Sequence, residues 1–362
     1  MPDQAERPPA PAGSPAFTGH GAAALPAVTV DAYNAELRTP EGFLGDRANS
    51  RAFKSILDDW RKKLRETDED PLGKTRTEEV SRAQLDQLLA NGGPEVGGLV
   101  LGVVEEFAQA LTGVVKRLLR LKDWQDTERI VIGGGMRASR VGELAIGRTA
   151  MLLRGEDCAV ELVAIRHDPD EAGLIGGLHL APPWIFQGHD GVLAVDIGGS
   201  NIRAGVVRPN LRKSPDLGAA ELWQAELWRH AEEKPGREAA IDRLAGMLQD
   251  LVRKAAKRGM RLAPFIGIGC PGRIAEDGGI EAGAQNLPGN WESSRFNLPA
   301  RIQEALPEID GHDTVVVLHN DAVVQGLSQT PWMQDVARWG VLTIGTGLGN
   351  ARFTNRGGAP RK

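Results

Sequence analysis

Apolar side chains recur at helical spacing in several stretches of the chain. Phe53, Ile56, Leu57, Trp60 and Leu64 fall on one face and predict an amphipathic, core-facing helix over 50–65. Val104, Phe107, Leu111, Val115 and Leu118 predict a longer helix over 99–121. Ile241, Leu244, Leu248, Leu251 and Ala255 mark another, ended by Gly259. Short apolar runs between such segments predict buried strands at 129–132, 193–197, 265–270, 314–318 and 341–344. Asp168-Pro169-Asp170-Glu171 places acids in the first turn of a further helix, which Ala181-Pro182-Pro183 ends. A helix also follows Gly135 through Glu143 to Leu153. Strands alternating with helices imply an α/β architecture. The stretch 66–79 is charged, contains Pro71 and Gly73, and reads as a loop. Residues 1–27 are rich in Pro, Ala and Gly and read as a disordered tail, with order beginning near Val28.

The 362 residues leave room for about two domains with cores of their own. A hydrophobic share of 41% and a charged share of 25% are those of a soluble globular protein. The net charge of −5 gives no sign of a nucleic-acid surface. The two cysteines, Cys158 and Cys270, argue against a disulfide framework or a cysteine zinc site and suit a reducing cytosol. No uninterrupted apolar run reaches the ~18 residues of a membrane span, and no signal peptide is visible. The expectation is a cytoplasmic protein without a membrane or nucleic-acid partner.

The chemistry concentrates in glycine turns. Leu193-Ala194-Val195-Asp196-Ile197-Gly198-Gly199-Ser200-Asn201-Ile202-Arg203 reads as strand, glycine turn, strand. Backbone N–H groups in such a turn can approach phosphate oxygens, and Asp196 could hold Mg2+ through water. An ordinary hairpin fits that segment equally well. Ile344-Gly345-Thr346-Gly347-Leu348-Gly349-Asn350 repeats the layout, and two such turns could grip a triphosphate from opposite sides. Asn320-Asp321-Ala322 follows a strand and precedes a helical stretch. Asp321 there is a candidate general base for a substrate hydroxyl, with Asn320 hydrogen-bonding a neighbouring hydroxyl. A helix cap explains the same Asp without any chemistry. Gly133-Gly134-Gly135-Met136-Arg137-Ala138 matches a dinucleotide fingerprint weakly, because no second strand ending in an acid follows at the required distance. Gly73-Lys74-Thr75 resembles the end of a P-loop, but Asp68 stands where a glycine is required. His167-Asp168 and His189-Asp190 lack metal-ligand spacing and read as capping or loop residues. Trp223, Trp228, His230 and Glu233 read as surface or interlobe packing.

Together these motifs resemble the ROK family, the bacterial glucokinase-like branch of the actin-like sugar kinases. The segment 196–203 looks like its first phosphate motif, and Ile266-Gly267-Ile268-Gly269-Cys270-Pro271-Gly272 like the strand and turn that follow. Asn286-Leu287-Pro288-Gly289-Asn290-Trp291-Glu292 is similar to its sugar-side loop, with one extra residue at Asn290. Asn320-Asp321-Ala322 resembles the catalytic motif, and 342–349 the second phosphate motif. Two further motifs, 130–135 on the adenosine side and 170–176 of the C-terminal helix, come before the first phosphate motif here and after the second in the family. The resemblance, over about 84–355, implies a circularly permuted two-lobed actin-like (ribonuclease H-like) α/β fold that phosphorylates a hexose-type sugar with ATP and Mg2+. It implies Asp321 as base, and Asp196, Gly198, Gly199, Ser200, Asn201, Arg203, Gly345, Thr346, Gly347, Gly133, Gly134 and Gly135 around the nucleotide. Asn286, Gly289, Glu292, Asn320 and Asp321 would face the sugar.

The departures bear on the sugar side. The family's Glu-x-x-His contact and cysteine-rich zinc motif do not follow the second turn, and Asn350 and Ala351 stand where glycines are usual. Residues 28–77 have no family counterpart; Asp46 and Arg47 are candidates there for replacement sugar contacts, with a salt-bridged turn as the simpler role. The expected division is a tail over 1–27, a helical extension over 28–83, a nucleotide-side lobe of 84–169 with 320–362, and a smaller lobe over 170–319. A non-catalytic sugar- or nucleotide-binding regulator of the same fold is the alternative function. A dinucleotide-dependent oxidoreductase would rest on the Gly133 run alone. A homodimer is left open.

Overall fold

The computed structural model of the protein describes residues 18–40, 42–66 and 69–356. It is a mixed α/β structure built on two five-stranded sheets. The first sheet runs Val315–Asn320, Leu262–Cys270, Gly191–Ile197, Ile202–Arg208, Glu221–Trp228. The second runs Glu161–Ala164, Arg129–Gly133, Arg338–Ile344, Leu348–Asn355, Val28–Tyr33. The two are built alike. In each, a central strand turns through glycines into an antiparallel partner, a third antiparallel strand closes that edge, and two parallel strands complete the other side. The central strands are buried nearly throughout, so they read as continuous apolar runs rather than alternating ones.

Three cores separate the layers. The outer face of the first sheet packs on helices Arg237–Lys257 and Leu298–Ala305, with Leu244, Leu248 and Ile302 fully buried. The outer face of the second packs on Ser50–Arg65, Pro94–Leu118 and Arg140–Gly155, where Phe53, Phe107 and Leu111 meet. Between the sheets lie two short helices, Pro169–Gly177 and Asp321–Leu327, whose Leu174, Val323 and Leu327 share one core with Ala194, Val341 and Phe353.

The periodic stretches form helices where expected, with one shift. The helix predicted over 99–121 begins earlier, at Pro94, because Gly93 and a proline at the first helical position favour a start there. By length and composition Pro94–Leu118 is apolar enough to cross a membrane, although Glu105 and Glu106 interrupt its apolar run, as the sequence reading expected of every segment. Here its apolar side, from Leu99 to Leu118, packs in the core of the second lobe.

Three expectations need correction. Of the segment read as a tail, residues 1–17 lie outside the described residues, while from Thr18 onward the chain is docked. Leu25 is fully buried, and the His20 Nδ1 accepts from the Leu318 backbone N–H at 3.1 Å. Residues 28–33 do not open a helical extension. They form the edge strand of the second sheet, where Val28 pairs with Asn355 and Tyr33 with Ala351. Alternating Val28 and Val30 point into the core, a period of two that the helical reading passed over. Finally, of the residues read as surface or interlobe packing, Trp228 and His230 are buried, which removes the surface alternative for these two.

The two central helices reach the sheets through glycines. A Cβ on Gly176 would lie 1.8 Å from the Val324 carbonyl oxygen, and one on Gly267 would lie 2.2 Å from the Gly177 carbonyl oxygen. Backbone therefore touches backbone, and no side chain can be inserted without moving a helix. Gly246, inside Arg237–Lys257, has open space at its Cβ position. Gly267→Ala is expected to lower stability by roughly 1–3 kcal/mol. Gly246→Ala is expected to raise it by about 0.5–1 kcal/mol. Urea unfolding of the two variants beside the parent protein checks both.

Candidate active site

A cleft of about 870 Å³ opens between the lobes, and both glycine turns line it. In the first turn the Gly198 N–H donates to the Asn201 carbonyl at 2.8 Å, and the His230 Nε2 lies 2.9 Å from the Gly198 carbonyl. In the second the Gly345 N–H donates to the Gly347 carbonyl at 3.0 Å. The Gly345 carbonyl also accepts from the Ser50 N–H, at the start of helix Ser50–Arg65, at 2.9 Å. The Ser200 and Thr346 hydroxyls lie 3.1 Å apart, so the two turns meet across the cleft. A Cβ on Gly347 would meet nothing within 4 Å, which leaves room where a ligand's backbone contacts would fall.

Asp196 ends the central strand of the first sheet and is 3% exposed. Its neighbour across the hairpin is Arg203, 3.5 Å away, which also pairs with Asp170. Burial pushes the Asp196 carboxyl above its usual range; Arg203 opposes this and Asp170 adds to it. Asp321 begins helix Asp321–Leu327, but it is not the cap. Asn320 takes that role, its Oδ1 accepting from the Ala322 and Val323 N–H groups at 3.0 and 3.3 Å. The Asp321 carboxyl is thereby left to face the cleft. Burial, and then the charge of Asp196, raise its pKa to about 7. The Cys270 thiol, beside both acids, is pushed well above its ordinary value and stays protonated.

The structure brings most of the expected residues together. Asp196, Gly198, Gly199, Ser200, Asn201, Arg203, Gly134, Gly135, Asn286, Asp321, Gly345, Thr346 and Gly347 line the one cleft. Four others stand apart from it. Gly133 is bound in the sheet opposite Thr343. Asn320 is fully buried, with its Nδ2 donating to the Gly272 carbonyl at 3.0 Å, so it is engaged in structure instead of facing a hydroxyl. Gly289 lines a smaller recess of about 270 Å³ beside the cleft, shared with Gly199, His230 and Asn286. The Glu292 Oε1 accepts from the Ala284 N–H at 2.8 Å and braces its own loop.

Asn34, Ala35 and Glu36 also line the cleft, and the sequence reading missed them. Asn34 has a left-handed φ of 51°, which asparagine tolerates better than most residues. The Asn350 side chain holds this segment, accepting from the Ala35 N–H at 2.9 Å and donating to the Ala35 carbonyl at 3.2 Å. The Asn34 Oδ1 in turn lies 3.4 Å from the Asn320 Nδ2. An asparagine at position 350, where glycine is usual, was the available signal. Of the pair proposed in the Gly45 turn, Asp46 lines the cleft. Gln325, at the floor, has a buried Oε1 without a donor.

The donor set suits Mg2+ held mainly by substrate and water. Among the described residues no group of three or more His, Cys, Asp or Glu side chains forms a metal cage. Mg2+ keeps several waters and needs only one or two carboxylates beside phosphate oxygens. Two buried acids, each with its pKa raised by burial and a neighbouring carboxylate, would both gain from a nearby cation.

No protein-family model matches the chain, and no curated protein matches it. Among solved structures it is similar to a ROK hexokinase from Thermus thermophilus, at 26% identity over 36% of this chain and 35% of that one, with a TM-score of 0.26. It is similar to the Lmo2764 protein of Listeria monocytogenes, described as a candidate N-acetylmannosamine kinase, at 23% identity over 47% and 51%, with a TM-score of 0.32. An exopolyphosphatase from Cytophaga hutchinsonii matches at 17% identity over 45% and 51%, with a TM-score of 0.26. The likeness thus spans between a third and a half of those chains.

The raised pKa of Asp321 makes stability depend on pH. Between about pH 4 and 7 the folded protein keeps a proton there that the unfolded chain, with its carboxyl near 3.8, has released. Stability contributed by this group therefore falls as pH rises through that window. Asp321→Asn is expected to be more stable than the parent at pH 8, with the difference vanishing near pH 4. Thermal melts of the ligand-free proteins across that range check it.

Proposed function

We propose that the protein is an ATP-dependent, glucokinase-like sugar kinase whose chain is circularly permuted relative to the ROK family. The observation that carries the reading is the carboxyl of Asp321, poised near neutral pH beside two glycine turns in one cleft. A base that works best near the ambient pH suits removal of a hydroxyl proton. Support for permutation comes from the second sheet. Val28–Tyr33 pairs with Leu348–Asn355 as the third strand follows the second in the first sheet, yet it lies at the other end of the sequence. The Arg356 N–H donates to the Ala27 carbonyl at 2.9 Å, so the two segments sit at hairpin distance.

In this reading the backbone of Gly198, Gly199, Gly345 and Gly347 and the hydroxyls of Ser200 and Thr346 bind the phosphates. Gly134 and Gly135 lie where the adenosine joins the phosphate chain. Asp196 would hold Mg2+ through water, and the ion would supply charge neutralisation on the phosphates. Asn286 and the Asn34–Glu36 segment face the sugar, the latter in place of the family's missing contact. Asp321 takes the proton from the sugar hydroxyl as that oxygen attacks the γ-phosphorus in line; the bond to the bridging oxygen breaks and ADP leaves. The remaining work is positioning and water exclusion, for which the two lobes are suited to close.

ATP turnover with a panel of hexoses tests the proposal. Wild-type protein is expected to consume ATP with at least one sugar, and Asp321→Asn to lose 10²–10⁴-fold in kcat with little change in ATP affinity, about the contribution of a general base. Equal turnover by the two proteins would remove Asp321 from the mechanism. Binding of sugar without phosphate transfer would instead favour a regulator.

A further inference from the structure

We propose that Arg82, on a helix outside the recognisable kinase motifs, is a direct contact for the phosphate chain of the nucleotide. This rests on the nucleotide reading of the cleft given above. Helix Arg82–Asn91 is placed firmly. Ser81 and Gln84 form a reciprocal cap, with the Gln84 Oε1 accepting from the Ser81 N–H at 2.7 Å and the Ser81 Oγ from the Gln84 N–H at 3.2 Å. Asp86 then ties the helix to the second lobe, its two carboxylate oxygens accepting from the Arg140 and Val141 N–H groups, each at 2.9 Å. Leu85 is buried beneath.

This fixes the Arg82 side chain over the glycine turn at 134–135. A Cβ on Gly135 would lie 3.1 and 3.3 Å from its two terminal guanidinium nitrogens. The guanidinium lines the cleft and, among the described residues, has no hydrogen-bond or ion-pair partner. Two other cations of the cleft are occupied: Lys54 donates to the Glu78 carbonyl at 2.6 Å, and Arg203 pairs with Asp170 and Asp196. Arg229 also lines the cleft, but it stands beside the first glycine turn's sheet and not over the 134–135 turn. Asp86, the acid on the same helix, is spent on backbone N–H groups. Surrounding protein lowers the Arg82 pKa by desolvation, while Asp170 and Asp86 oppose that shift from a distance. An arginine held over a glycine turn without an anion of its own has the fork geometry for two phosphate oxygens. The glycine at 135 keeps the approach open.

Binding measured by calorimetry tests this on the full chain, with Mg-ATP, adenosine and inorganic triphosphate as probes. Arg82→Ala is expected to weaken Mg-ATP and triphosphate by about tenfold or more, with Arg82→Lys intermediate. Adenosine affinity and the KM for the sugar are expected to stay unchanged. Unaltered Mg-ATP affinity in Arg82→Ala, with sugar phosphorylation intact, would overturn the Arg82 assignment and leave the kinase reading standing. An equal loss for adenosine would overturn the phosphate assignment by moving the contact to the base. Triphosphate binding that depends on Arg82, in a protein that neither binds nor uses ATP, would sustain the anion contact and sink the nucleotide reading. No binding of either anion by the parent protein would overturn both.

Discussion

Everything in the molecule is arranged around a place where two helices and a strand touch through bare backbone. Gly176 faces the Val324 carbonyl, Gly177 faces Gly267, and Gly173 lies against the Asp196 carboxyl. These contacts set how closely the two sheets sandwich Pro169–Gly177 and Asp321–Leu327. They also decide the chemistry. Asp196 leaves one sheet and Asp321 enters the opposite helix, and the crossing brings both to the same cleft.

The same closeness has an electrostatic cost. Each carboxylate is buried, and burial raises the proton affinity of both; the charge of Asp196 adds to this at Asp321, and that of Asp170 adds to it at Asp196. Arg203 offsets part of this on one side only. A site that is uncomfortable when empty gains from whatever brings positive charge into it. Arg82 and Arg203 thus differ in kind. Arg203 is balanced within the fold, whereas Arg82 has no acid paired with it among the described residues.

How much of this could be read beforehand depended on the range of the signal. Local patterns were legible: the 50–65 helix, the two glycine turns and the central strands all follow from spacing within a short window. The pairing of both turns with Asp321 was legible as order along the chain. Three things were not. The edge strand Val28–Tyr33 is stabilised by Leu348–Asn355, a partner at the other end of the sequence, and its own alternation is only six residues long. Asn320 looked like a ligand because cap and ligand use the same side chain; only the hydrogen bonds to Ala322 and Val323 separate the roles. Asn34, Glu36 and Arg82 come from stretches with no motif, placed by Asn350 and Asp86 through contacts to backbone that no residue pattern announces.

The edge strand carries a consequence for how the protein is made. The first sheet draws all its strands from one unbroken stretch, Gly191 to Asn320, and can assemble while that stretch is leaving the ribosome. The second cannot. Val28–Tyr33, Arg129–Gly133 and Glu161–Ala164 are synthesised early, but the two strands that join them, Arg338–Ile344 and Leu348–Asn355, arrive far later. Until then the early strands have exposed edges and apolar faces, the state in which nascent chains are most prone to stick to one another. The lobe that emerges first is therefore the one completed last.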